Sequence, residues 1–224
     1  MRRRRADRQR PSPIVYREHV DGPASEERHQ TVTDAVLVAA SAGGLSALTA
    51  VLSELPADFP ASVAIVQHIE PHHRSMLAEI LGRSCPLPVR QADHGQRFEA
   101  GVVHVAPPDH HLLVDADGSL SLTRTELVHF VRPSADLLFE SGAASFGNRA
   151  IAVVLTGTGS DGSLGVEAIK RRGGIVIAQD EATSEFFGMP GAAIDAGAVD
   201  FVLPLDQIAE ALTSLLAERR GGAR

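Results

Sequence analysis

The stretch Val36-Leu37-Val38-Ala39-Ala40-Ser41-Ala42-Gly43-Gly44 decides the fold of this 224-residue chain. An apolar run ends in a serine and two glycines, and a helix-forming segment, Leu45–Leu55, follows at once. A short apolar run of this kind reads as a strand. A strand that turns tightly into a helix is the first half of a βαβ unit. The pattern recurs outward from there. Strands are predicted at Ala35–Ala39, Val63–Gln67, Val102–Ala106, Ile151–Leu155, Ile175–Ala178 and Phe201–Leu203. Helices are predicted between them, near Ser75–Leu81, Ser134–Phe146, Leu164–Arg171, Gly191–Ala196 and Gln207–Ala217. Leu112–Val114 and Leu120–Leu122 flank Asp115-Ala116-Asp117-Gly118-Ser119 and predict a hairpin. The expected fold is α/β: a single doubly wound, mostly parallel sheet with helices on both faces and an inserted antiparallel β-hairpin.

Residues 1–33 are polar and rich in Pro, Arg and Glu, and are expected to form a disordered Arg-rich tail. The folded catalytic domain is expected over 34–218, with a short C-terminal tail at 219–224. The composition, 44% hydrophobic and 22% charged, is that of an ordinary globular protein. No apolar run approaches the roughly 20 residues that span a bilayer, so membrane insertion is not expected. The basic start lacks a hydrophobic signal core. The lone Cys85 rules out an internal disulfide and fits a reducing compartment, so the expected location is cytoplasmic. The net charge is -7, although residues 1–30 hold eight Arg against five acids. The remainder is therefore strongly acidic, which argues against a nucleic-acid-binding surface.

Three segments share one geometry. Ser41 follows the first strand, His68 follows the second, and Asp161 follows a later one in Leu155-Thr156-Gly157-Thr158-Gly159-Ser160-Asp161-Gly162. In a doubly wound sheet all three lie beyond the carboxyl ends of parallel strands, where ligand sites form. Ser41 is then a candidate nucleophile, His68 its general base, and Asp161 the group that orients the imidazole. Backbone N–H groups from Ala42 and Gly43 to Gly44, or in the Gly157–Gly162 loop that holds Thr158, are candidates for an oxyanion hole. Plainer roles exist for each residue: a turn serine, a surface histidine, and an aspartate at a helix start. Alanine at position 39 also departs from the G-x-S-x-G elbow.

Two rival readings use overlapping residues. Gly157, Gly159 and Gly162 match G-x-G-x-x-G between a strand and a helix, and Asp180 lies where a ribose-binding acid belongs. Against this dinucleotide reading, Asp161 places a negative charge where pyrophosphate would bind. For a metal, His68, His72 and His73, or Asp109-His110-His111, supply donor atoms. Pro71 separates the first group, no companion cysteine or H-E-x-x-H pattern accompanies either, and no metal is expected.

At these residues the chain resembles the catalytic domain of the bacterial chemotaxis protein-glutamate methylesterases. The resemblance runs from about Asp34 to about Leu216. It includes Val66-Gln67-His68, Ala106-Pro107-Pro108 with His111-Leu112, Arg132-Pro133-Ser134 with Leu138-Phe139, Gln179-Asp180 and Phe187-Gly188-Met189-Pro190. It implies a Ser41, His68, Asp161 triad that hydrolyses methyl esters of receptor glutamates, releases methanol and also deamidates receptor glutamines, with no cofactor. Methylated chemoreceptor helices, or another methylated protein, are the implied partners, with a separate receiver or methyltransferase protein as a further one. A non-catalytic module of the same fold is the alternative. Only about 33 residues precede the first strand, too few for the receiver domain that many members carry, so a stand-alone esterase is expected. Ala42 and Thr158 stand where the family commonly has threonine and methionine; neither change removes a triad group. Met189-Pro190 has two readings, a rim of the active site or ordinary first-turn architecture. Arg132 likewise reads as a substrate contact or as part of a helix start.

Overall fold

The computed structural model describes residues 34–69 and 75–221. The expectations for residues 1–33, for Pro71, His72 and His73, and for positions 222–224 lie outside the described residues. Nine strands are present among those described: β1 (Ala35–Ala40), β2 (Ser62–Gln67), β3 (Val89–Gln91), β4 (Val103–Val105), β5 (His111–Val114), β6 (Leu120–Thr123), β7 (Ala150–Val154), β8 (Ile175–Gln179) and β9 (Phe201–Leu203). The helices are α1 (Gly44–Ser53), α2 (Leu77–Leu81), α3 (Ala135–Phe146), α4 (Ser163–Arg171), α5 (Gly188–Asp195) and α6 (Ile208–Gly221). α6 thus continues past the end expected for it at Ala217.

Seven strands form one sheet in the order β3-β4-β2-β1-β7-β8-β9. Every pairing in it is parallel. β5 and β6 pair antiparallel in a separate hairpin, in register from His111 opposite Thr123 to Val114 opposite Leu120. The chain runs from β1 to β2 and on to the edge strand β3, fills the gap between β2 and β3 with β4, then returns to β7 beside β1 and winds outward on the other side. The order therefore reverses between β1 and β7, and a crevice opens there beyond the carboxyl ends of the strands.

β1 explains why its sequence shows no alternation. All six residues are buried, yet they divide by parity between two cores. Ala35, Leu37 and Ala39 pack with Leu138 and Phe139 of α3 and Val166 and Ile169 of α4. Val36, Val38 and Ala40 pack with Leu48 and Val51 of α1 and Leu212 and Leu216 of α6. A strand covered on both faces needs apolar residues at every position.

α3 and α4 approach closely at Gly165. A Cβ there would stand 2.7 Å from Phe139 Cβ and 3.0 Å from the Asp136 backbone oxygen, so a side chain would push the helices apart. That approach matters below, because the N-terminus of α3 holds the catalytic candidate Asp161. The one strand missing from the prediction, β3, is three residues long, follows Pro88 and lies at the sheet edge with Arg90 and Gln91 exposed. So short and polar a segment carries no period to read.

Candidate active site

β1 ends at Ala40, and its ladder continues one residue further, where the Ser41 N–H donates to the Thr156 carbonyl at 3.0 Å. Gly43 then turns the chain into α1 with a left-handed φ of 74°. The turn is crowded as well as left-handed: a Cβ on Gly43 would lie 2.7 Å from Glu185 Oε2. Ser41 is thereby lifted onto a strand-to-helix turn at the sheet crossover. His68 follows β2, its N–H bonded to the Ala40 carbonyl at 3.1 Å. The Gln67 side chain ties the two together, donating from Nε2 to the Ser41 carbonyl at 2.7 Å and to the His68 carbonyl at 3.1 Å.

Asp161 arrives from the loop after β7 and is 4% exposed. Its Oδ2 accepts His68 Nε2–H at 2.8 Å and the Ala135 N–H at 2.6 Å. Its Oδ1 accepts the Ser134 hydroxyl at 2.8 Å and the Asp136 N–H at 3.2 Å. The carboxylate thus caps the N-terminus of a helix distant in sequence, where free N–H groups and the helix dipole favour negative charge. Burial alone would raise its pKa. The bonds from His68, the Ala135 backbone and Ser134 outweigh burial, and the pKa is lowered.

Asp136, in the first turn of the same helix, shows the opposite balance. Burial pushes its pKa up, the Asp161 charge adds to the rise, and the Gly165 N–H and His129 oppose it. His129 Nε2 lies 3.3 Å from Asp136 Oδ2. That oxygen nonetheless has no hydrogen bond of normal geometry, so the contact is a close approach and not a directed bond. Of two neighbouring carboxylates, Asp161 stays ionised and Asp136 takes a proton first.

Ser41, His68, Asp161, Thr158 and Gly159 line one open cavity of about 370 Å³ together with His129, Phe130 and Val131. No hydrogen bond joins Ser41 Oγ to His68 among the described residues. With Nε2 engaged by Asp161, Nδ1 is the ring nitrogen left for a substrate-side proton. Among the described residues the N–H groups of Ala42, Gly43 and Thr158 donate to nothing, whereas those of Gly44 and Gly157 are used by Ser41 and Phe186. Gly44 and Gly157 thus drop out as oxyanion donors, and the N–H groups of Ala42, Gly43 and Thr158 remain free to serve.

Other candidates fall elsewhere. Met189 is 1% exposed and packs behind Gly157, its N–H bonded to the Gly157 carbonyl at 2.9 Å, so it is buried and does not form a rim of the cavity. Asp180 accepts the Thr183 N–H and hydroxyl at 3.0 and 2.6 Å and is occupied in that turn. Arg132 pairs with Asp109 and donates to the Thr125 carbonyl at 2.6 Å, a brace beneath the cleft wall. His110 donates Nδ1–H to the Pro108 carbonyl, and buried His111 donates Nε2–H to the Glu126 carbonyl. Sequence reasoning missed Ser134 and Asp136 as partners of Asp161, Gln67 as the clamp, and the whole of His129-Phe130. Gln67 carried a signal in its place beside His68, and Ser134 in its place at the predicted start of a helix.

A serine, a histidine and a buried aspartate converging at the switch point of a doubly wound sheet have the layout of a serine hydrolase. Residues 36–212 match the family model described as CheB methylesterase. This chain belongs to that family. It is 40% identical over 177 residues to a putative protein-glutamate methylesterase/protein-glutamine glutaminase of Leptospira interrogans, covering 79% of this chain and 92% of the relative. It is 45% identical to a Burkholderia orbicola protein-glutamate methylesterase/protein-glutamine glutaminase and 47% identical to one from Anaeromyxobacter dehalogenans. Those matches cover 88% and 81% of this chain but only 57% and 53% of the relatives, so the chain spans about half their length. The crystal structure of the Thermotoga maritima CheB methylesterase catalytic domain superposes with a TM-score of 0.79 at 36% identity, covering 82% of this chain and 98% of that one.

Proposed function

We propose that this chain is a protein-glutamate methylesterase that uses Ser41, His68 and Asp161. Ser41 Oγ attacks the γ-carbonyl of a glutamate methyl ester while His68 Nδ1 takes its proton, after the serine rotates toward the ring. The imidazolium so formed is held through Nε2 by ionised Asp161. The oxyanion faces the free N–H groups at Ala42, Gly43 and Thr158, and each such bond lowers the barrier by on the order of 3 kcal/mol. His68 returns the proton to the departing methoxide, which leaves as methanol. Water then attacks the acyl-serine by the same route and frees the glutamate carboxylate. A glutamine side chain follows the same path with ammonia as leaving group, in keeping with the double name of the relatives.

The observation that carries this reading is the 2.8 Å bond from His68 to Asp161, made across the cleft that Ser41 also lines. The substrate class we propose is a methylated chemoreceptor or a similar helical protein, because an open cleft admits an ester displayed on a helix. No described helix is long and apolar enough to cross a membrane; we place the protein in the cytoplasm with its substrate domains. Incubating the chain with methyl-labelled receptor cytoplasmic fragments tests the proposal. Volatile methanol is expected from the wild type and not from Ser41→Ala, and equal release from both would refute the role of Ser41.

A further inference from the structure

One wall of the cleft is a two-residue hairpin that carries an exposed aromatic ring. Val131 donates to the Val128 carbonyl at 2.9 Å, and Val128 donates back at 3.2 Å, closing a two-residue hairpin. The residues between them, His129 and Phe130, have φ of 48° and 66°. Positive φ at both central positions is the mark of a type I′ turn, which favours Asn-Gly. Phe130 instead places a large side chain on backbone suited to glycine, and the ring is 94% exposed. No burial compensates the strain. Backbone strain at the edge of a reactive cleft is grounds for a functional hypothesis.

The hairpin is also held in place. Arg132, two residues on, is braced by Asp109 and the Thr125 carbonyl. His129 reaches Asp136 on the helix end that grips Asp161. Phe130 thus stands at a fixed place on the cavity wall shared with Ser41. Further exposed apolar side chains crown the same end of the sheet: Leu45 at the start of α1, Leu164 at the start of α4 and Phe186 ahead of α5. Outward-facing apolar groups at the same end of the sheet as the cleft suit a partner's surface better than a small ester.

We propose that Phe130 is a specificity-determining residue, packing against an apolar side chain one helical turn from the methylated glutamate of a helical protein substrate. The inference rests on the esterase reading above. Helix positions three or four apart share a face at about 5–6 Å, so an ester entering the cleft brings such a neighbour to its wall. Exposed aromatic anchors of this kind dominate recognition energies where they become buried.

The test uses two coiled-coil peptides, each carrying one glutamate γ-methyl ester, with leucine or serine four residues from it. Methanol release is measured for the wild type, Phe130→Ala, Phe130→Gly and Ser41→Ala. The wild type is expected to favour the leucine peptide about tenfold in kcat/KM, chiefly through KM. Both Phe130 variants are expected to lose that preference, while Phe130→Gly raises Tm by about 2–4 °C through relief of the turn. A preference that survives in the variants, or is absent from the wild type, overturns the inference. So does a fall in Tm for Phe130→Gly, which would give the ring a role within the fold. Methanol release abolished by Ser41→Ala with the preference intact defeats this inference alone. No release from either peptide, or undiminished release by Ser41→Ala, defeats the esterase reading and this inference with it.

Discussion

Asp161 and Phe130 border the same cleft and are built on opposite terms. Asp161 is buried, and four donors converge on its two oxygens. Phe130 is exposed, and its backbone is strained. A group that must hold one geometry through a reaction is surrounded by satisfied hydrogen bonds that leave it nowhere else to go. A group that meets a changing partner is left bare, and its backbone supplies the rigidity instead. His129 and Asp136 connect the two, so the recognising wall and the reacting floor are referenced to one helix end.

The contrast is tested most strongly at the floor. Asp161→Asn keeps the shape but removes the charge and the tautomer preference of His68, and on the proposed mechanism activity is expected to fall about 10⁴-fold, the size seen for such a change in a Ser-His-Asp protease. Thermal unfolding of that variant should also show a loss of about 1–2 kcal/mol, since a charged cap leaves the α3 terminus. Retained activity would show that the carboxylate is structural only. Gln67→Ala comes next. It strips a shared donor from the Ser41 and His68 carbonyls, and steady-state assays should show a loss of about 10–100-fold from misplacement of the pair. A variant with normal kcat would mean that the strand ends alone fix the geometry.

The smallest expected effect lies away from the cleft and concerns pH. Burial pushes the pKa of His104 down, with the Val63 backbone opposing, and burial likewise lowers that of His111. Both rings are thus neutral in the folded protein where the unfolded chain would bind protons. A lowered folded pKa means that the stability is fully present above the unfolded value, about pH 6.5, and is lost as pH falls below it. Each ring contributes a slope of at most about 1.4 kcal/mol per pH unit. Denaturant titrations of His104→Leu between pH 7 and 5 should show a shallower acid slope than the wild type. An unchanged slope would remove His104 from the account.

What could be read from the sequence divides along similar lines. Continuous apolar runs such as Ala35–Ala39 and Ile151–Leu155 announced strands of a parallel sheet, and residues placed after strand ends met where parallel topology sends them. That much depends on period and chain order, which are local and countable. The supports of Asp161 were not legible, because Ser134, Ala135 and Asp136 reach it through a packing of α3 on α4 that no spacing encodes. Met189 was ambiguous for the same reason: a first-turn methionine reaches the rim or is buried according to how its helix sits on Gly157. The His129-Phe130 turn was invisible because its residues contradict the Asn-Gly signature by which such turns are recognised. Where local preference and observed conformation disagree, function is the first place to look.

The most direct measurement is covalent. Treating the chain with a fluorophosphonate and mapping the adduct by mass spectrometry asks whether Ser41 is an activated nucleophile. The account predicts one phosphonate per chain, on the peptide containing Ser41, and loss of labelling in His68→Ala. A folded wild type that stays unlabelled, or carries the label on another residue, would contradict it.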